Sequence, residues 1–102
     1  MKQLEELMTQ IREFAKSRDW EKFHTPKNLA MAIAGEAGEL AAEFQWLTPD
    51  ESDIGALSTE KLRDIRLEMA DVQIYLLRLA DVLKIDISDA VSEKIEINES
   101  RF

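Results

Sequence analysis

Hydrophobic residues recur at helical spacing through most of the chain. Near the start they fall at positions 4, 7, 8, 11, 14 and 15, which predicts an amphipathic helix from about residue 2 to residue 17. After a connection, Pro26 fits the first turn of a second helix that Thr25 would cap and that runs to about Leu47. Polar residues between Pro49 and Gly55 then predict a loop.

The second half of the chain continues the pattern. Ser58 opens a third helix at about residue 58 or 59, and its broad apolar face ends near Lys84. Asp86 or Ser88 can cap a short fourth helix, which finishes before Arg101. No strand pattern, internal repeat or low-complexity tract interrupts this order. The sequence therefore predicts one all-α domain over residues 1–102, a four-helix bundle.

Two pairs of carboxylates interrupt the apolar stretches of the two long helices. Glu36 and Glu39 are the only charged residues between positions 29 and 42, and apolar residues surround Glu68 and Asp71. Members of each pair are three residues apart and share a helix face. Because the two long helices are expected to run antiparallel, the pairs can face each other.

Buried carboxylates need a positive partner, since an unpaired buried charge costs at least several kcal/mol. Nearly all of the 13 basic residues lie outside these two apolar runs, and Arg78 falls seven residues beyond the second pair. Four oxygen ligands, with no cysteine and a single histidine, favour Mg2+ or Mn2+ over zinc or copper. Two such ions about 3.5 to 4 Å apart would suit in-line displacement at phosphorus.

The alternative is that both pairs lie on the wet side of amphipathic helices. Two features of the second helix favour a functional site instead. Its apolar residues occupy all sides, which predicts a buried helix. Gly35 and Gly38 cost about 1 kcal/mol each in a helix interior, and such glycines usually mark the close approach of another element.

Composition narrows the choice of partners. The 102 residues carry a net charge of −8, with 21 acidic and 13 basic residues, which argues against binding to nucleic acid. A small phosphorylated ligand remains open, because a bound metal supplies positive charge locally. The absence of cysteine fits a reducing compartment. The charged, helical start is unlike a signal sequence, and the longest uncharged stretch, 29–35, is far short of the roughly 20 residues of a membrane span. We expect a cytoplasmic protein with no membrane partner.

The acidic pattern, Glu-x-x-Glu at 36–39 followed by Glu-x-x-Asp at 68–71, resembles the MazG-like all-α nucleoside triphosphate pyrophosphohydrolases. Its flanks are similar to the dCTP pyrophosphatase branch of that family. The similar segments are Arg18–His24, Pro26–Leu29, Gly35–Leu40, Phe44–Trp46, Asp71–Leu76 and Lys94–Asn98. The resemblance spans nearly the whole chain, from about residue 4 to residue 102.

This resemblance implies Mg2+-dependent hydrolysis of dCTP or a 5-substituted dCTP to the monophosphate and pyrophosphate, as a nucleotide-pool cleaning activity. Its implied metal ligands, which also carry the catalysis, are Glu36, Glu39, Glu68 and Asp71. Its implied substrate residues are Trp20 and Trp46 around the base, His24 and Tyr75 at the nucleoside, and Lys94 and Asn98 at the phosphates or sugar. It also implies a homo-oligomer, a tetramer rather than a dimer. The apolar helix surface of so short a chain agrees with assembly.

Each of these roles has a plainer alternative. The two tryptophans and Tyr75 can be core residues, His24 a loop or capping residue, and Lys94 a solvated helix residue. Glu43 shares the helix face of Glu36 and Glu39, and we interpret it as a surface residue or as a neighbour of the metal ligands. Three other functions stay open: a pyrophosphohydrolase of other or broad specificity, including phosphoribosylated nucleotides; a di-iron carboxylate bundle, which needs Glu-x-x-His motifs; and a non-catalytic helical interaction module.

Overall fold

The computed structural model describes residues 3–102, and within that range the chain forms four α-helices and no strand. The helices are α1 (Leu4–Ser17), α2 (Pro26–Ala42), α3 (Thr59–Leu83) and α4 (Ile87–Arg101). Single 3-10 turns occupy Glu21–Phe23 and Asp50–Ser52. The all-α prediction is confirmed. The predicted helix start at residue 2 lies outside the described residues.

Three helices begin at side-chain caps. The cap oxygens accept from backbone N–H groups three residues later: Thr25 Oγ1 from Asn28 at 3.2 Å, Ser58 Oγ from Lys61 at 3.0 Å, and Asp86 Oδ1 from Asp89 at 3.0 Å. Each bond satisfies an N–H group that the first helical turn leaves unpaired. The predicted starts of α2 and α3 are therefore confirmed, and Asp86 rather than Ser88 caps α4.

The end of α2 comes earlier than predicted. The helix stops at Ala42 instead of continuing to Leu47. The N–H groups of Glu43 and Phe44 bond to carbonyl oxygens only three residues back, at 3.2 and 3.0 Å, so the chain leaves the helix through consecutive turns. The apolar residues that prolonged the sequence pattern lie in these turns. At the end of α3, Lys84 takes a left-handed conformation with φ of 58°, close to the predicted end.

The two long helices run antiparallel. α2 packs mainly against α3, and α1 packs on α3 as well. Near the start of α2, His24 bonds to Arg78 late in α3, whereas Glu43 just after α2 bonds to Lys61 early in α3. Residues early in α2 therefore lie beside residues late in α3, and the reverse holds at the other end. The acidic pairs lie between these two contacts and face each other.

The single chain has a small core and a large exposed apolar surface. Its buried apolar residues are Ala15, Leu29, Ile65, Leu77 and Ala80. The radius of gyration is 16.1 Å, above the roughly 13 Å of a compact domain of this length. α4 has only sparse contacts with the other helices, and its Val91 and Ile95 are about half exposed. None of the helices in residues 3–102 combines the length and the apolar character that a membrane span requires.

Two expectations about α2 are wrong for this chain. Only Leu29 of the helix is buried, and Met31 is 65% exposed, because the face turned away from α3 has no helix packed on it. Gly35 and Gly38 lie beside no other element among the described residues, since a Cβ built on either would meet nothing within 4 Å. Glu36 is nevertheless partly buried, since it lies on the side of α2 that faces α3.

Candidate active site

The facing acids form a close cluster between α2 and α3. Glu36, Glu39 and Glu68 each offer a carboxylate oxygen, and these oxygens all lie within 4.8 Å of one another. Asp71, one helical turn beyond Glu68, lines a cavity together with Glu36. The structure therefore brings together the four acids that the sequence singles out.

Two members of the cluster are held in an unfavourable environment. Burial is the largest cause that raises the pKa of Glu36 and of Glu68, followed by repulsion from Glu39 and then from Asp71. One oxygen of each, Oε2, is buried and has no hydrogen-bond partner among the described residues. Buried polar atoms are normally satisfied, so these two oxygens indicate a site for a positively charged ligand.

Glu43 lies beside the cluster and is separately neutralised. Its Oε1 accepts from Lys61 Nζ at 2.9 Å, and both side chains are partly buried. The charge of Glu43 nevertheless contributes to the raised pKa of Glu68. Lys61 is thus paired with Glu43, so Glu36, Glu39 and Glu68 still require another cation to balance their charge.

An aromatic cavity adjoins the acids. A space of about 320 Å3 is lined by Trp20, Phe23, His24, Asn28, Leu29, Ala32 and Tyr75. A second space of about 180 Å3 shares Trp20, His24 and Tyr75 with the first and adds Glu36 and Asp71. Because the two spaces share three side chains, the aromatic surface and the carboxylates form one continuous site.

Local structure between α1 and α2 places the aromatic residues. Asp19 turns the chain with φ of 58°, and the Trp20 N–H then donates back to the Ala15 carbonyl at 2.9 Å. The Trp20 ring packs edge-on against Phe14, with centroids 5.5 Å apart and planes at 79°. Asn28 Nδ2 donates to the Phe23 carbonyl at 3.0 Å and so ties the following 3-10 turn to the first turn of α2.

Arg78 connects this site to the opposite side of α3. It is a buried cation, only 6% exposed. Its Nε donates to His24 Nδ1 at 3.1 Å, and its Nη1 donates to Asp81 Oδ2 at 3.2 Å. Asp81 also accepts two bonds from Arg12 of α1, at 2.8 and 2.7 Å. Burial, followed by the Arg78 charge, lowers the pKa of His24.

Three of the predicted substrate residues lie outside this site in the single chain. Trp46 is 87% exposed, in the turns that follow α2. Lys94 and Asn98 belong to α4, and neither lines the two cavities described above. Trp20, His24 and Tyr75 are brought to the acids, and the substrate roles of all six residues stay predictions.

Sequence reasoning assigned no role in the site to Arg78, which it noted only as a nearby basic residue, or to Asn28. Helical spacing was an available signal for both. Arg78 follows Asp71 by seven residues, and Asn28 precedes Glu36 by eight, so each shares a helix face with an acid of the cluster. The single histidine follows Glu21 by three residues, but this one Glu-x-x-His lies in a 3-10 turn and not on the long helices, and its Nδ1 accepts from Arg78, so the chain does not fit a di-iron bundle, which needs two such motifs on helices.

The chain is similar to known pyrophosphatases. The structure of a pyrophosphatase from Archaeoglobus fulgidus matches it with a TM-score of 0.89 and 42% sequence identity, covering 100% of this chain and 94% of that one. Human dCTP pyrophosphatase 1 is 42% identical over 99 residues, or 97% of this chain, and the Bos taurus protein of the same name is 40% identical over 99 residues. The chain spans 58% and 59% of those two relatives. It matches no protein-family model.

Proposed function

The chain belongs to the MazG-like all-α pyrophosphohydrolases, in the branch of dCTP pyrophosphatase 1, and we propose that it hydrolyses a deoxynucleoside triphosphate to the monophosphate and pyrophosphate. The proposed substrate is dCTP or a 5-substituted dCTP. One observation supports this most strongly: two unpartnered buried carboxylate oxygens lie in an acidic cluster that is continuous with an aromatic cavity. Such a site suits a ligand with an aromatic base at one end and metal-bound phosphates at the other.

Mg2+, with Mn2+ as a substitute, is the proposed cofactor. The donors fit, since Glu36, Glu39, Glu68 and Asp71 are hard oxygen ligands and form no ion pair with a basic side chain within residues 3–102. A divalent ion held by these residues would neutralise charge on phosphate oxygens and promote attack by water. The helices contribute rigidity, because α2 and α3 fix the carboxylates before any ligand arrives.

The aromatic cavity is the proposed base site. Trp20 and Tyr75 offer ring surfaces, and the cavity volume of about 320 Å3 falls at the small end of ligand pockets. His24 lines both spaces and so would lie between base and phosphates. A nucleotide placed this way would direct its phosphates to the carboxylates.

Completion of the site by neighbouring chains is part of the proposal. Trp46, Lys94 and Asn98 lie away from the acids, on segments with much exposed surface, and α4 presents half-exposed apolar residues. A homo-oligomer, with a tetramer favoured over a dimer, would bury that surface and could bring these side chains to the base and the phosphates. We place this enzyme in the cytoplasm.

The direct test is pyrophosphate release from a panel of dNTPs, NTPs and 5-substituted dCTPs, with and without Mg2+, with the products separated by chromatography. Monophosphate and pyrophosphate from cytosine deoxynucleotides, formed only with metal, are expected. Hydrolysis of other nucleotides would shift the substrate assignment. No hydrolysis of any triphosphate would refute the proposal.

Glu39→Gln tests the role of the acids. Loss of a metal ligand should lower turnover by more than about 100-fold, because partners outside the ligand set already cost about 10- to 100-fold when removed. The oligomer, measured by light scattering, should be unchanged. The matched control is Glu60→Gln in the first turn of α3, an exposed acid that should leave turnover unaltered. Near-normal turnover in Glu39→Gln would overturn the metal assignment.

Trp20→Ala and Trp46→Ala test the base site. Stacking on an aromatic side chain contributes about 1–3 kcal/mol per base, so affinity for dCMP should fall roughly 5- to 150-fold. Affinity for pyrophosphate should change far less in both variants. Equal losses for the two ligands would exclude a stacking role, and an effect confined to Trp20 would remove Trp46 from the proposed site.

A further inference from the structure

His24 ends a chain of hydrogen bonds that crosses the protein. Two bonds join Arg12 to Asp81, one joins Asp81 to Arg78, and the 3.1 Å bond from Arg78 Nε reaches His24 Nδ1. Arg78 is buried, and its guanidinium group donates to the side chains of His24 and Asp81. The bond to Asp81 therefore fixes the orientation of the Arg78 guanidinium group that donates to His24.

The direction of the last bond determines where the imidazole proton lies. Arginine remains protonated in proteins and has no acceptor, so every hydrogen bond it makes is a donated one. His24 Nδ1 must then accept and carry no proton. In a neutral imidazole the proton consequently lies on Nε2, and the ring donates from that nitrogen.

The charges around His24 agree with a neutral ring. Arg78 from α3 disfavours the imidazolium ion, and burial acts in the same direction, while Glu21 from the 3-10 turn opposes them. Glu36 and Asp71 line the smaller cavity with His24 and would favour a charged ring while they lack a cation. The net effect is a lowered pKa, so the ring is neutral at pH 7.

We propose that Arg78 is a positioning residue that holds His24 as its neutral Nε2–H tautomer, so that the site donates a hydrogen bond to a carbonyl oxygen of the bound base. The choice of ligand rests on the proposed function, whereas the tautomer does not. Cytosine carries one such carbonyl oxygen. A ligand group that presents its own donor at this position would leave two donors facing each other and would be rejected.

The unmodified protein provides the first test, because the chain contains a single histidine. A nitrogen-15 spectrum correlated with the ring protons reports both nitrogens without any assignment problem. Between about pH 7 and pH 8 we expect an unprotonated Nδ1 and a protonated Nε2, with a midpoint of titration below the usual value of about 6.5. A protonated Nδ1, or a charged ring at pH 7, would overturn the proposal.

Arg78→Met removes the donor and should produce a mixture of tautomers, with the midpoint moving up towards its usual value. The control is Arg66→Met, an exposed arginine of the same helix, which should reproduce the unmodified spectrum. Circular dichroism establishes that each variant is folded. An unchanged tautomer in folded Arg78→Met would show that Arg78 does not set it.

Addition of dCMP tests whether His24 Nε2–H donates to the bound base. The Nε2–H resonance should shift as the bond forms, and Arg78→Met should weaken dCMP binding by about 3- to 10-fold, the range of one hydrogen bond. Binding of dCMP, detected by tryptophan fluorescence, with no change at Nε2–H would refute donation to the base. If the protein hydrolyses no triphosphate, the spectrum without ligand still decides the tautomer, so the two proposals fail separately.

Discussion

Asp81 joins an exposed arginine to a buried one, and Asp81→Asn should therefore destabilise the protein strongly. The side chain of Arg12 is 47% exposed, that of Arg78 only 7% and that of Asp81 15%. Asparagine keeps the shape of the side chain but removes the charge that balances Arg78. The buried guanidinium would keep only neutral acceptors, the amide oxygen of the new asparagine and the His24 imidazole, and no negative charge would balance its own.

Removing one partner of a buried ion pair costs about 3–5 kcal/mol. The 3.2 Å contact from Arg78 to Asp81 is long for a charged hydrogen bond, so the lower end applies, about 3 kcal/mol. A domain of about 100 residues loses roughly 4–8 °C in Tm per kcal/mol, which gives a fall of about 12–24 °C.

Thermal unfolding at pH 7, followed by circular dichroism, measures this fall. Arg12→Gln is the matched control, because it breaks the exposed half of the same network and leaves Asp81 paired with Arg78. Exposed ion pairs contribute little, so the control should lose only a few degrees. If the two variants unfolded at the same temperature, the argument from the buried charge would be refuted.

The pH dependence follows from the same contacts. The hydrogen bond from Arg12 is the largest cause that lowers the pKa of Asp81, with both arginine charges acting in the same direction. A carboxyl with a lowered folded-state pKa stabilises the protein above its unfolded pKa, about 3.9, and loses that contribution as the pH falls through the folded value. The difference between the unmodified protein and Asp81→Asn should be constant from about pH 5 to pH 8 and shrink below about pH 4.

Two further predictions concern the acidic cluster and the core. The raised pKa values of Glu36 and Glu68 mean that the native state binds more protons than the unfolded state above about pH 4.5, so the metal-free protein should lose stability as the pH rises through the folded values. Unfolding curves from pH 5 to 7 should show this decline without Mg2+ and not with excess Mg2+. Glu36→Gln should raise the Tm of the metal-free protein. A flat pH profile without metal would contradict the raised pKa values of Glu36 and Glu68. Leu77 is 1% exposed, and Leu77→Ala should cost about 3–5 kcal/mol in urea unfolding. Leu67→Ala, at a position 44% exposed, should cost under about 1 kcal/mol, and similar losses for the two would contradict the packing of α3.

Features with local causes were predictable from the sequence. Thr25 and Ser58 mark the starts of α2 and α3 because each cap bonds within three residues of itself. The acids were recognisable because charge in an apolar stretch requires compensation. The end of α2 was missed because Phe44 and Leu47 continue the apolar pattern after the backbone has turned.

The hydrogen-bond network at His24 was beyond sequence reasoning. The bond from Arg78 to His24 joins residues 54 apart, and the bonds from Arg12 to Asp81 join residues 69 apart. Such partners are chosen by how α1 and α2 dock on α3, which spacing alone does not specify. The proposed roles of Trp46 and Lys94 rest in the same way on the proposed contacts with neighbouring chains, which spacing along one chain does not specify.

The pairing of α2 with α3 has a consequence for folding kinetics. This helical hairpin provides most of the contacts between helices and joins consecutive helices, so we expect it to form early in folding. It is also the step that brings four like charges together. If the hairpin is formed in the transition state, repulsion among these acids should slow folding more than it speeds unfolding. A cation present during chain collapse would act on the folding barrier before the enzyme has turned over any substrate.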